Sequence, residues 1–241
     1  MATSAETRLF DRRLYLAAAL LLPLVILIGF ARTYYLKAVF GTPALPSPLV
    51  HLHAVVMTAW VALFLVQVRL IASRRVRWHQ QLGYASIVLA ALIVVIGVPT
   101  ALRAAKYGSP STPPGVVPLA FLVVPAFDLL MFAMLFGAAI VYRRRPATHK
   151  RLMLLTAINF LPPALGRIAV PSLQALGPLW FFGVPVLVAA VCLVLDARRH
   201  GHVNRVFAGG IAMLVLSYVV RLAVMNTAPW MAFAGWVTQF V

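Results

Sequence analysis

Six histidines, one carboxylate, Asp128, and two arginines, Arg167 and Arg221, carry most of the reactive chemistry of this 241-residue chain, because they stand in or at the ends of long apolar runs. An ionisable group inside such a run is costly to bury and ordinarily faces protein or water. His79 and His149 each follow a basic stretch and open an apolar run, which puts two imidazoles at one depth on different helices. An iron porphyrin takes one imidazole nitrogen on each face, so this pair has the placement of the axial ligands of a b-type haem. The competing reading for both is a half-solvated histidine in a basic loop that meets anionic lipid headgroups.

His51 and His53 open another run, and two residues at this spacing point in different directions, so only one can face inward. His53 shares a helical face with Met57, Trp60, Phe64 and Gln67, which would line up an imidazole, an indole and an amide. His79 is followed on its face by the small residues Gly83, Ser86 and Ala90, which admit a macrocycle or a neighbouring helix. His149 heads a stripe of Met153, Thr156, Pro163 and Arg167, since 18 residues make five helical turns. Asp128, close to the middle of its run, must be protonated or paired, and Arg221 is the first expected partner, Arg167 the second. His53, Asp128, Arg167 and Arg221 together suggest a polar pocket toward the outer side for an anionic or carbonyl-bearing ligand such as a quinone, with His53 as proton partner. The plainer alternative is an ion pair that locks two helices. His200 and His202 lie in a basic loop and read as solvated. Cys192 is the sole cysteine, which excludes an intramolecular disulfide and a cysteine-based zinc site. No Walker, Rossmann, zinc-protease or serine-elbow motif is present.

The elements that position these residues are helices in a bilayer. Hydrophobic residues make up 63% of the chain and charged ones 10%, with a mean hydropathy of +0.97. Soluble proteins hold roughly 45–50% apolar and about 25% charged residues, so a water-soluble globule is excluded. Seven apolar runs of about the length of a bilayer crossing are found, at 14–31, 49–71, 82–102, 116–142, 152–170, 178–195 and 206–224. They are continuously apolar rather than alternating, which favours helices over a barrel. The net charge of +17 would suggest nucleic acid in a soluble domain, but its distribution argues otherwise. Fifteen Lys and Arg fall on one side of the seven runs, from Arg8 through Arg69, Arg143 and Arg205, against four on the other. That asymmetry predicts seven transmembrane helices with the N-terminus cytoplasmic and the C-terminus outside, in a cell's inner (plasma) membrane. Anionic lipids are then the partners of the cytoplasmic face, and nucleic acid is not a partner. The whole chain, 1–241, reads as one helical membrane domain, with an interfacial tail at 225–241 carrying Trp230, Phe233, Trp236 and Phe240.

Three basic stretches each lead into a histidine: Arg75-Val76-Arg77-Trp78-His79, Arg144-Arg145-Pro146-Ala147-Thr148-His149 and Arg198-Arg199-His200-Gly201-His202. Arg167 and Arg221 follow the second and third at similar spacing, each in an Arg-x-Ala-Val context. This predicts one leading helix plus three hairpins in parallel repeat. Pro162-Pro163 and Pro185 should kink the fifth and sixth runs.

The order of His51-Leu52-His53, then Arg77-Trp78-His79-Gln80-Gln81-Leu82-Gly83, then His149-Lys150-Arg151-Leu152-Met153 leading to Arg167, resembles an uncharacterised family of bacterial predicted inner-membrane proteins with H…HxxLG…H[KR]RxM…R landmarks. The resemblance covers about half of the chain and implies that His53, His79, His149 and Arg167 belong to one framework, without implying a reaction. A looser similarity to cytochrome b561-like helical bundles implies haem held by histidine pairs. This chain departs from that pattern on the outer side, where His51 and His53 share one helix and no opposing histidine is offered. The expectations are therefore a haem b- or quinone-associated redox protein, a transporter or sensor of a small hydrophobic molecule using the outer pocket, or a structural or assembly partner in a complex or homo-oligomer.

Overall fold

The computed structural model describes residues 4–109 and 112–241; Arg8, counted above among the basic residues, lies outside the described side chains. Among the described residues the chain is all helical, with no strand. α1 (Ser4–Phe30) runs on through a π-helical turn at Ala31–Tyr35, and α2 (Pro48–Ala72) and α3 (Val76–Tyr107) follow across a three-residue turn. α4 (Pro118–Phe121) leads into α5 (Val123–Val141), then come α6 (Pro146–Asn159), α7 (Leu161–Leu165) and α8 (Pro171–Gln174). A π-helical turn at Leu179–Gly183 precedes α9 (Val184–His200), which is followed by α10 (Arg205–Val224) and α11 (Ala228–Val237).

Local chemistry sets the ends. The Ser47 hydroxyl accepts from the Val50 N–H at 3.4 Å ahead of Pro48, and Asn204 caps α10 by accepting from Phe207 N–H at 3.0 Å. Gly201, at φ 72°, turns the chain out of α9 in the left-handed conformation that glycine adopts without strain.

Among the described residues, six helices are long and apolar enough to cross a membrane: Arg12–Tyr35, Pro48–Ala72, Val76–Tyr107, Pro118–Arg144, Leu179–His200 and Arg205–Val224. They fit a multi-pass membrane protein. The fifth expected run is the exception, because it is not one continuous helix but α6 and α7 broken at Phe160. Pro162 and Pro163 cause the break, since neither has a backbone N–H to continue the helical ladder. The first turn of α6 is also polar, with Thr148, His149, Lys150 and Arg151. The third histidine motif differs from the first two as well. His79 and His149 are each the fourth residue of a helix, whereas His200 ends α9 and His202 lies in the turn before α10.

The broken helix is nevertheless the centre of the bundle. Leu152, Leu154, Leu155, Ile158, Leu161 and Leu165 are all buried, and α6 packs against α1, α5, α9 and α10. A second buried cluster joins α2, α3, α5 and the break through Trp60, Ile93, Phe132, Phe136 and Phe160. The tail forms α11, where Trp230 Nε1 donates to the Leu119 carbonyl at 3.2 Å and leaves Phe233, Trp236 and Phe240 exposed.

Candidate functional site

His79 and His149 come together. Both stand one turn inside a helix start, on α3 and α6. Their ring centres are 6.2 Å apart with the planes inclined at 75°. His149 Nδ1 lies 2.8 Å from the Ala139 carbonyl of α5. A carbonyl only accepts, so Nδ1 carries the hydrogen and Nε2 keeps its lone pair, the arrangement usual for a metal-ligating histidine. The His79 ring lies against the Gln67 backbone at the end of α2, and its Nδ1 is buried with no hydrogen-bond partner. One turn along the same face, Gly83 leaves open space where a side chain would stand.

Asp128 meets Arg221. The Arg221 Nη1 group donates to Asp128 Oδ1 at 2.6 Å, tying α5 to α10 with both side chains buried. Arg221 is also enclosed by rings, with Phe127, Phe182 and Tyr218 centred 5.7, 5.7 and 5.1 Å from its guanidinium carbon. Asn159, the last residue of α6, donates to the Asp128 carbonyl at 3.0 Å. Charge neutralisation and ring packing together make this burial tolerable.

His53 and Arg167 form a different set of contacts. The Arg167 guanidinium stacks on Phe30 at 4.5 Å and donates to the Pro163 carbonyl at 2.6 Å. It is near enough for its charge to act on His53, whose Nδ1 is buried without a hydrogen-bond partner. His51 turns outward and meets the Tyr34 hydroxyl at 3.0 Å. The four residues expected to share one outer pocket thus divide into a closed ion pair, Asp128 with Arg221, and a His53–Arg167 group held between α1, α2 and the end of α7. Two narrow apolar crevices, between α9 and α10 and between α1, α2 and α6, are lined by none of these four residues.

A second buried ion pair carries residues read from the sequence only as topology or not at all. Arg151, counted among the loop cations, donates from Nε and Nη2 to both oxygens of Asp196 at 2.9 and 2.8 Å, and also to the Ala147 carbonyl. The two side chains are 2% and 1% exposed. His200, expected to be solvated, donates from Nδ1 to the Asp196 carbonyl at 2.9 Å and stands 3.5 Å from its carboxylate. The signal was scarcity: four acidic residues in the chain, one of them a single position past the end of an apolar run, demanded a partner.

Among the described residues no group of three or more His, Cys, Asp and Glu side chains converges to hold a metal. A metal bound by protein ligands alone needs such a group, whereas a haem iron needs two, the porphyrin supplying the rest. Comparison with known protein families, curated proteins and solved structures finds no match to this chain.

Proposed function

We propose that this protein is a membrane-bound electron carrier that holds one b-type haem between His79 and His149. The observation that carries the reading is the 6.2 Å separation of the two imidazole centres on α3 and α6. At this separation both imidazoles would hold one iron, each giving it a ring nitrogen. Ordinary edge-to-face rings occupy the same range of distance. Donor chemistry adds the second support: the Ala139 carbonyl fixes the tautomer of His149 and leaves its Nε2 lone pair for the metal. The open space at Gly83 and the neighbouring Arg75, Arg77 and Arg145, which suit propionate carboxylates, favour the same group. When bound, haem would supply one-electron redox chemistry; His79 and His149 would hold it, and the Ala139 carbonyl would orient His149.

In this reading the chain crosses the inner (plasma) membrane seven times. α6 and α7, 14 and 5 residues about Phe160, rise about 30 Å together, the thickness of a hydrocarbon core. The N-terminus and the haem face the cytoplasm, where the basic residues meet anionic lipid, and the C-terminus lies outside. The electron partner is a membrane-soluble quinone engaged at the far end of α2, where His53 and Arg167 offer a hydrogen bond and a positive charge to its carbonyl oxygens.

Haem content tests the central step. Protein expressed with adequate haem should purify with one haem per chain by pyridine haemochrome assay, and His79→Ala and His149→Ala should each lose it while remaining folded. A haem-free wild type from haem-replete cells, or full occupancy in both variants, would remove the reading.

A further inference from the structure

We infer that Asp128, Asn159, Tyr218 and Arg221 enclose a buried hydration site at the break between α6 and α7, taking one water molecule or a short cluster. Among the described residues, three buried polar atoms on residues that form or touch the ion pair have no protein hydrogen-bond partner: Asn159 Oδ1, Tyr218 OH and Arg221 Nε. Their residues are 0%, 4% and 0% exposed. One is an acceptor, one a donor and one either, which is the set that a water molecule satisfies with its usual two to four hydrogen bonds. Each is fixed beside the Asp128–Arg221 pair by a contact already described: Asn159 through its bond to the Asp128 carbonyl, Tyr218 by its ring over the Arg221 guanidinium. The phenol ring is held in place by stacking on Phe182, with centres 4.5 Å apart and planes at 17°. The backbone adds an acceptor, because Pro163 has no N–H to give to the Asn159 carbonyl.

Size and lining decide the class of ligand. The crevice that reaches Tyr218 between α9 and α10 is lined by apolar residues, among them Pro185, Ile211 and Leu214, and is too tight to hold a ligand. An apolar ligand there would leave the three polar atoms unsatisfied, and a polar solute would have to shed its hydration along an apolar path. Water is the smallest ligand that offers both donors and acceptors to such a set. The site uses none of the proposed haem ligands, so it stands or falls independently of them.

The test turns on sign. The Tyr218 hydroxyl has no protein partner, so in a dry site Tyr218→Phe removes an unsatisfied group and leaves the thermal midpoint of the purified full chain unchanged or raised. In a hydrated site the same substitution strips a ligand from the water and lowers the midpoint. Asn159→Leu serves as the second arm, and the double variant should lose less than the sum of the single losses, because either change disrupts the same bridge. A high-resolution map of the wild type should show density between Tyr218 OH and Asn159 Oδ1 that Tyr218→Phe lacks. An unchanged or higher midpoint for Tyr218→Phe, additive singles, and no density at this place would overturn the inference.

Discussion

Arg151 and Asp196 hold each other's charge away from solvent, so neither can be removed alone without leaving the other stranded. Breaking such a pair from one side costs roughly 3–5 kcal/mol, while replacing both partners with apolar residues of similar volume is often neutral or better. Asp196→Ala should therefore lower the thermal midpoint of the purified protein sharply, and Arg151→Met with Asp196→Leu should recover most of the loss; equal damage in both variants would show that the pair is not the source. The Asp128–Arg221 pair was legible in the sequence because an acid in mid-run must find a cation and few were available. Arg151 was not, since one of five Lys and Arg residues between 143 and 151 carries no mark of burial, and only its bidentate fit to Asp196 reveals it. The His53–Arg167 group has its own expected outcome. His53→Ala and Arg167→Gln should leave haem content intact and abolish reduction of the protein by a short-chain quinol, while dithionite still reduces it. Unimpaired quinol reduction in both variants would place the quinone elsewhere.

At the scale of elements, the sequence located the apolar helices well, and the kink expected from Pro162 and Pro163 in the run 152–170 is in the structure a full break at Phe160. Averaging hydropathy over a window hid the position of this run, since a helix with a polar first turn turns out to be the most enclosed in the bundle. Glycines at helix contacts give a sharp comparison. A Cβ at Gly29 of α1 would collide with the Ala164 backbone of α7, which cannot move aside as a side chain does, whereas one at Gly209 of α10 would meet nothing. Gly29→Ala should cost about 1–3 kcal/mol in unfolding free energy through overpacking. Gly209→Ala should be neutral or slightly stabilising, because alanine is the better helix former. Parallel thermal melts of the two variants check this, and equal midpoints would contradict the close approach of α1 to α7.

Across the whole molecule, the charge that would suggest nucleic acid in a soluble protein reads as a map of sidedness in the proposed arrangement of seven crossings, six of which are the membrane-length helices among the described residues. Cysteines introduced singly at Lys37 and at Arg144 should react with a membrane-impermeant maleimide from opposite sides of the membrane, Lys37 from outside, with the native Cys192 buried and silent. Labelling of both from one side would contradict the proposed arrangement. In that arrangement α2 links the two ends of the proposed electron route: His53 stands near Arg167 at its start, Trp60 lies in the aromatic cluster with Phe132 and Phe136, and the Gln67 backbone touches His79. Everything along that route depends on the histidine pair. The most direct test is the reduced-minus-oxidised absorption spectrum of the purified protein. The account predicts a Soret band and sharp α and β bands of a six-coordinate, low-spin haem with two imidazole ligands, altered or lost in His79→Ala and in His149→Ala. A featureless visible spectrum from haem-replete cells, or a haem spectrum indifferent to both substitutions, would contradict it.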